Sequence, residues 1–110
     1  MDSILTSIKK LLGPSAENND FDDDIIMHIN SVLMILTQMG VGPSEGFTIY
    51  DDSAIWEEFT LDNTKIESVK TYVYLKVRLL FDPPTNSTVM ESIKEMIKEL
   101  EWRLNSAVDF

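Results

Sequence analysis

The stretch that most limits what this chain can fold into is Ile66 to Pro84, IESVKTYVYLKVRLLFDPP. At about 100° per residue, Ile66, Val69, Val73, Val77 and Leu80 fall on one side of a helix. Tyr72, Leu75 and Leu79 carry the apolar surface round to the far side, and Tyr74 and Phe81 widen the near one. Water is left a narrow arc with Glu67, Thr71 and Arg78, plus Lys70 and Lys76. A helix apolar nearly all round is buried, either by its own domain or by neighbouring copies. The pattern predicts a central helix over 66–82, stopped by Asp82-Pro83-Pro84, with other helices packed around it.

The rest of the chain supplies those helices. Ser3 is a candidate N-cap for a helix to Leu12, whose stripe is Ile4, Leu5, Ile8, Leu11 and Leu12; Gly13-Pro14 ends it. A polar loop, Ser15 to Asp20, leads to a second helix over about 22–39. Its inner stripe is Ile25, Ile26, Ile29, Val32, Leu33, Leu36 and Met39, and Gly40 closes it. A glycine- and proline-rich loop follows, then a segment near 46–52 of irregular or short extended character. Asp51-Asp52-Ser53 reads as a turn before a brief helix, Ala54 to Phe59, with Trp56 and Phe59 docking it on the core. A Trp in so short a segment could equally anchor an interface. Thr64-x-x-Glu67 and Thr88-x-x-Glu91 have the capping-box pattern at the heads of the central and last helices. The last helix presents Val89, Met90, Ile93, Met96, Ile97, Leu100 and Leu104 on one face, and a short tail, 105–110, ends the chain. The fold expected is one all-α domain over 1–110, a small bundle of about four helices around the central one.

Composition narrows function mainly by exclusion. The 110 residues include no cysteine and one histidine, so disulfides, thiolate chemistry and Cys-based metal sites are out. The Asp20-Phe-Asp-Asp-Asp24 run lacks the glycine and distal Glu of a calcium loop and suits the first turn of a helix, where acids are favoured by the dipole. The 40–46 loop has no GK[ST] ending and follows a helix, so it is no phosphate cradle. His28 has no second ligand or nucleophile to work with and reads as a helix-surface or interface residue. The acid pairs Asp51/Asp52 and Glu57/Glu58 read as solvated. No enzyme and no cofactor is expected. No apolar run approaches the roughly 18 residues of a membrane span, and the amino terminus lacks the order of a secretion signal.

The net charge of −10 is unevenly placed: residues 1–62 hold two lysines against twelve acids, residues 63–110 seven bases against seven acids. Such a chain does not grip duplex DNA by its phosphates, which requires clustered Lys and Arg. It could mimic DNA and inhibit a nucleic-acid-binding protein, but that use favours acids over the whole surface. Self-association fits the apolar pattern better. Met27 and Met34 lie opposite the inner stripe of the second helix, and Trp102 lies off the stripe of the last one. With Tyr72 and Tyr74 they form the expected subunit or partner contact.

The residues also resemble a known family, the small head–tail connector (adaptor or head-completion) proteins of long-tailed phages and prophages. The resemblance is carried by Phe21-Asp22, Ile25-Ile26, Ile29-Asn-Ser-Val32, Leu36-Thr-Gln-Met-Gly-Val-Gly42 and Trp56. It continues through Val69-Lys-Thr-Tyr-Val-Tyr-Leu-Lys-Val-Arg78, Leu80-Phe-Asp-Pro-Pro84 and Glu99-Leu-Glu-Trp-Arg-Leu-Asn105. It implies an all-α subunit that joins about a dozen copies into a ring under the portal protein. The ring extends the DNA channel and offers a platform to a head-closure or tail-completion protein. It implies a virion protein, assembled in the bacterial cytoplasm, past which DNA slides without specific binding, and no membrane partner. On that expectation Asp22, Asp23, Asp24, Asp51 and Asp52 are candidate channel-facing acids, with plain solubility as the alternative.

Overall fold

Five helices, α1 (Ile4–Leu12), α2 (Asp22–Gln38), α3 (Trp56–Phe59), α4 (Asn63–Phe81) and α5 (Ser87–Val108), make up the computed structural model, which describes residues 2–108. Two 3₁₀ turns, Gly13–Ala16 and Asn19–Phe21, join α1 to α2. No strand occurs among the described residues; one isolated antiparallel bridge pairs Ser3 with Ile55. The chain is all-α, as its periodicity requires.

The central position falls to α4, which packs against α1, α2, α3 and α5. Its Ile66, Val69, Tyr72, Val73, Leu75 and Val77 are buried within the subunit. Of the two ways to cover so apolar a helix, cover by its own domain therefore accounts for nearly all of the surface. The exception is Leu80, half-exposed in the last turn. Facing α4 are Ile25, Ile29, Val32, Leu33 and Leu36 of α2, and Ile4, Leu5, Ile8 and Leu12 of α1. Each fully buried side chain of this size contributes about 1.5–3 kcal/mol of transfer free energy. Leu11, Val89 and Met96, placed on inner stripes by periodicity, are instead exposed at the edges of theirs. Those stripes are wider than the surface their partner helices cover.

Caps depart from expectation at two helix heads. Asp62, not Thr64, caps α4: its carboxylate accepts from the Thr64 backbone N–H at 3.0 Å and from the Thr64 hydroxyl. Asn86, not Thr88, caps α5, with its side-chain oxygen accepting from Thr88 N–H at 2.8 Å and Val89 N–H at 3.2 Å. In both cases a better cap residue stands two positions upstream of the threonine and starts the helix earlier. Ser3 caps α1 as expected, accepting from Thr6 N–H at 3.1 Å. At the other end of α2 the chain turns in a Schellman arrangement: Val41 N–H donates to Leu36 O and Gly40 N–H to Thr37 O, with Gly40 at φ 89°. Val41 is buried against the same core as Leu36.

The brief helix is a single turn, Trp56–Phe59, and both named aromatics are buried. Trp56 donates its indole N–H to Ser7 Oγ at 2.8 Å. Of its two readings, the core one is correct. The 46–52 segment is irregular, as expected, and Asn30 of α2 clamps it. Ile49 N–H donates to Asn30 Oδ1 at 2.8 Å, and Asn30 Nδ2 donates to Ile49 O at 3.0 Å. This one side chain does for Ile49 what a neighbouring strand would do, and lets Ile49 be buried without orphaned backbone groups. The helix expected to stop at a tail from 105 continues to Val108; the last two tail positions lie outside the described residues.

Candidate interaction surfaces

Two open grooves meet along α2. The first, about 810 Å³, runs between α1, the 3₁₀ turns and the start of α2, with Tyr50, Asp51 and Asp52 closing it. It gathers acids far apart in sequence: Asp22, Asp23, Asp51 and Asp52 all line it, opposite Lys9 and Lys10. Asp24 lies one residue beyond, exposed, and is not among its walls. The acids are not equivalent. Asp22 is paired with Lys9 at 2.6 Å, and Lys9 also donates to Asn19 Oδ1 at 2.9 Å. Asp51 is folded into a turn: the Ser53 hydroxyl, and then the Ser53 backbone N–H, donate to its carboxylate and hold its pKa below the usual range. Of the groove's acids, Glu17, Asp23 and Asp52 make no ion pair and no side-chain hydrogen bond among the described residues, and Asp24 adds its charge from just outside the walls. No group of three or more His, Cys, Asp or Glu among the described residues is arranged to hold a metal ion.

The second groove, about 740 Å³, lies between the outer face of α2 and the Ser44–Tyr50 segment. Met27 and Met34, two turns apart on that face, stand on its wall with Phe47 across from them. Both methionines are more than half exposed, as their position opposite the core stripe requires. The charges on its walls are the carboxylates of Asp23 and Glu45; no base lines it.

On another side of the subunit α5 packs chiefly on α4 through Ile93, Ile97, Leu100 and Leu104 and leaves the rest of its circumference in water. Trp102 projects from that outer side, 70% exposed. Lys98 precedes it by one turn, and Arg103 beside it is paired with Glu99 at 2.6 Å. Lys98 makes no ion pair among the described residues.

The two tyrosines do not join these surfaces in the same way. Tyr72 is fully buried, and its hydroxyl donates to Glu101 Oε2 at 2.8 Å. This corrects its placement at a subunit contact: helical phase puts Tyr72 away from the α2 side of α4, but α5 covers it there. Tyr74 is half-buried, packed on the core, with its hydroxyl accepting from Arg78 at 3.3 Å. Periodicity missed Asn30, Tyr50 and Leu61. Tyr50 and Leu61 are the most exposed large apolar side chains described, at 83% and 89%. The alternation in Phe47-Thr-Ile-Tyr50 does turn Tyr50 away from buried Ile49, and an Asn inside an apolar helix signals a tertiary bond.

These surfaces are apolar ridges and acid-walled grooves, without a nucleophile–base pair or a ligand set among the described residues. A family model described as phage connector protein matches residues 4–109. The chain belongs to this phage connector family. No curated protein and no solved structure matches it. Membership agrees with the resemblance to head–tail connectors and carries a structural connector role, a place in the virion and assembly with other virion proteins. No helix among the described residues is long and apolar enough to cross a membrane.

Proposed function

We propose that this connector-family chain is the subunit of a ring of about a dozen copies that docks on the portal protein at the phage head–tail junction. The ring prolongs the DNA channel and presents a platform to a head-closure or tail-completion protein. The observation that carries this reading is the family match across residues 4–109. The surfaces support it: Trp102, Met27 and Met34 stand in water on two sides of the subunit, where neighbours in a ring would cover them. The uneven charge supports it too. Duplex DNA carries one negative charge per roughly 1.7 Å of axis, and a channel wall bearing Asp23, Asp24 and Asp52 repels it, so DNA slides instead of sticking. The subunit works without catalysis or cofactor, and it is made in the host cytoplasm before it enters the virion.

The test is co-sedimentation of the purified chain with portal rings of its own phage, read by electron microscopy. A collar of density on the portal is the expected result. Failure to bind portals, together with capture of a nuclease or repressor, would support the acidic DNA-mimic reading instead.

A further inference from the structure

We infer that Trp102 on α5 of one subunit seats in the methionine-walled groove of α2 on the next, as the head-to-tail contact between copies. The inference rests on the ring reading above and names the surfaces that make it. A knob, a groove and their separation within the subunit lead to it. Trp102 is an aromatic side chain 70% in water, and the groove walled by Met27, Met34 and Phe47 is open and large enough, at about 740 Å³, to take an indole. Knob and groove cannot meet within one molecule, because α4 lies between α2 and α5. Two complementary surfaces on different sides of one subunit can meet only between copies, and that contact is heterologous, the type that closes rings.

Charge chooses the pairing. Groove against groove would oppose the carboxylates of Asp23 and Glu45 with their own copies. The α5 face instead brings Lys98, a cation without an ion-pair partner among the described residues, one turn from Trp102. Lys98 is therefore the complement of Glu45 across the contact. Size is no obstacle: the subunit measures 39 × 34 × 20 Å, and sides of that order are comparable with the roughly 800 Å² that one partner contributes to a standard interface. Met side chains suit the groove because their unbranched thioethers adapt to an entering ring and favour contact with it.

The chain has no native cysteine, which makes the test direct. The double variant Lys98→Cys with Glu45→Cys, which keeps Trp102 and both methionines in place, is oxidised both free at high concentration and bound to portal-bearing heads. Both positions are exposed, so the fold is kept. A ladder of disulfide-linked multimers on a denaturing gel, absent from either single variant, is the expected result. Monomers and simple dimers alone in both preparations overturn the contact. Decorated portals without a ladder remove this contact and leave the connector reading standing; a ladder with bare portals does the reverse. As a second measurement, Lys98→Glu weakens self-association at low salt about tenfold, and adding Glu45→Lys restores most of it. Loss without restoration in the double variant counts against the pairing.

Discussion

The Tyr72 hydroxyl on α4 donates a 2.8 Å hydrogen bond to Glu101 Oε2 on α5. It is a polar bond between two helices otherwise joined by the apolar stripe of Ile93, Ile97, Leu100 and Leu104, and it adds a specific tie to their register. Burial first, and then the acceptor and charge of Glu101, push the Tyr72 phenol above its ordinary pKa of 10.0.

Tyr72→Phe removes the bond and leaves the ring. The expected cost is about 1–2 kcal/mol, since the acceptor is charged but Glu101 can rehydrate. The phenol's folded-state pKa is raised, so its stabilisation is whole below about pH 10 and is lost as pH climbs beyond that. Thermal melts of both proteins at pH 7 and in the alkaline range should show a gap at pH 7 that narrows above pH 10. A constant gap would mean that the bond is not what the substitution removed.

The two tryptophans should behave as opposites. Trp56 is buried and bonded to Ser7, so Trp56→Ala costs about 3–5 kcal/mol by opening a cavity. Trp102→Ala changes monomer stability by no more than about 0.5 kcal/mol and weakens assembly on the portal. Denaturant titration followed by fluorescence separates them, because the Trp102 variant retains the blue-shifted emission of a buried indole. Unfolding of that variant would place Trp102 in the core.

Gly42 sits at φ +87°, and a Cβ there would come within 2.6 Å of the Phe59 ring. Gly42→Ala therefore combines left-handed strain of about 1–2 kcal/mol per residue with a clash against a buried aromatic. A loss of about 2–4 kcal/mol in urea-induced unfolding is expected, with Phe59 and α3 displaced first. A neutral result would show that the loop accommodates the methyl by shifting away from α3.

Asp24 and Asp52 are exposed and make no ion pair among the described residues. Reversing both to Lys in the phage should leave subunit stability within about 0.5 kcal/mol and slow DNA ejection several-fold, by turning repulsion of phosphate into attraction. Ejection can be followed by dye release from triggered virions. Normal assembly with unchanged ejection kinetics would assign these acids to solubility. Asp22 and Asp51 are poor probes, because their carboxylates hold Lys9 and the Ser53 turn.

What was legible in the sequence was whatever depends on neighbours along one helix. The inner stripes of α1 and α2, the Asp-Pro-Pro stop and the outward direction of Met27, Met34 and Trp102 follow from a period of 3.6 residues. The all-α class follows from those stripes and the turn residues between them, and the family from residues in order along most of the chain.

Only the tertiary structure decided which apolar surface the subunit covers for itself. The stripe of α4 was too wide for sequence to divide between its own domain and a neighbour. The division depends on where α5 lands, and α5 lands over Tyr72. Packing between other distant segments gathered Asp22, Asp23, Asp51 and Asp52 around one groove, paired Asn30 with Ile49 and made Trp56 core instead of interface. Periodicity says which way a side chain points from its own helix. What it meets there is set by packing between segments distant in sequence, and that carries no local signal.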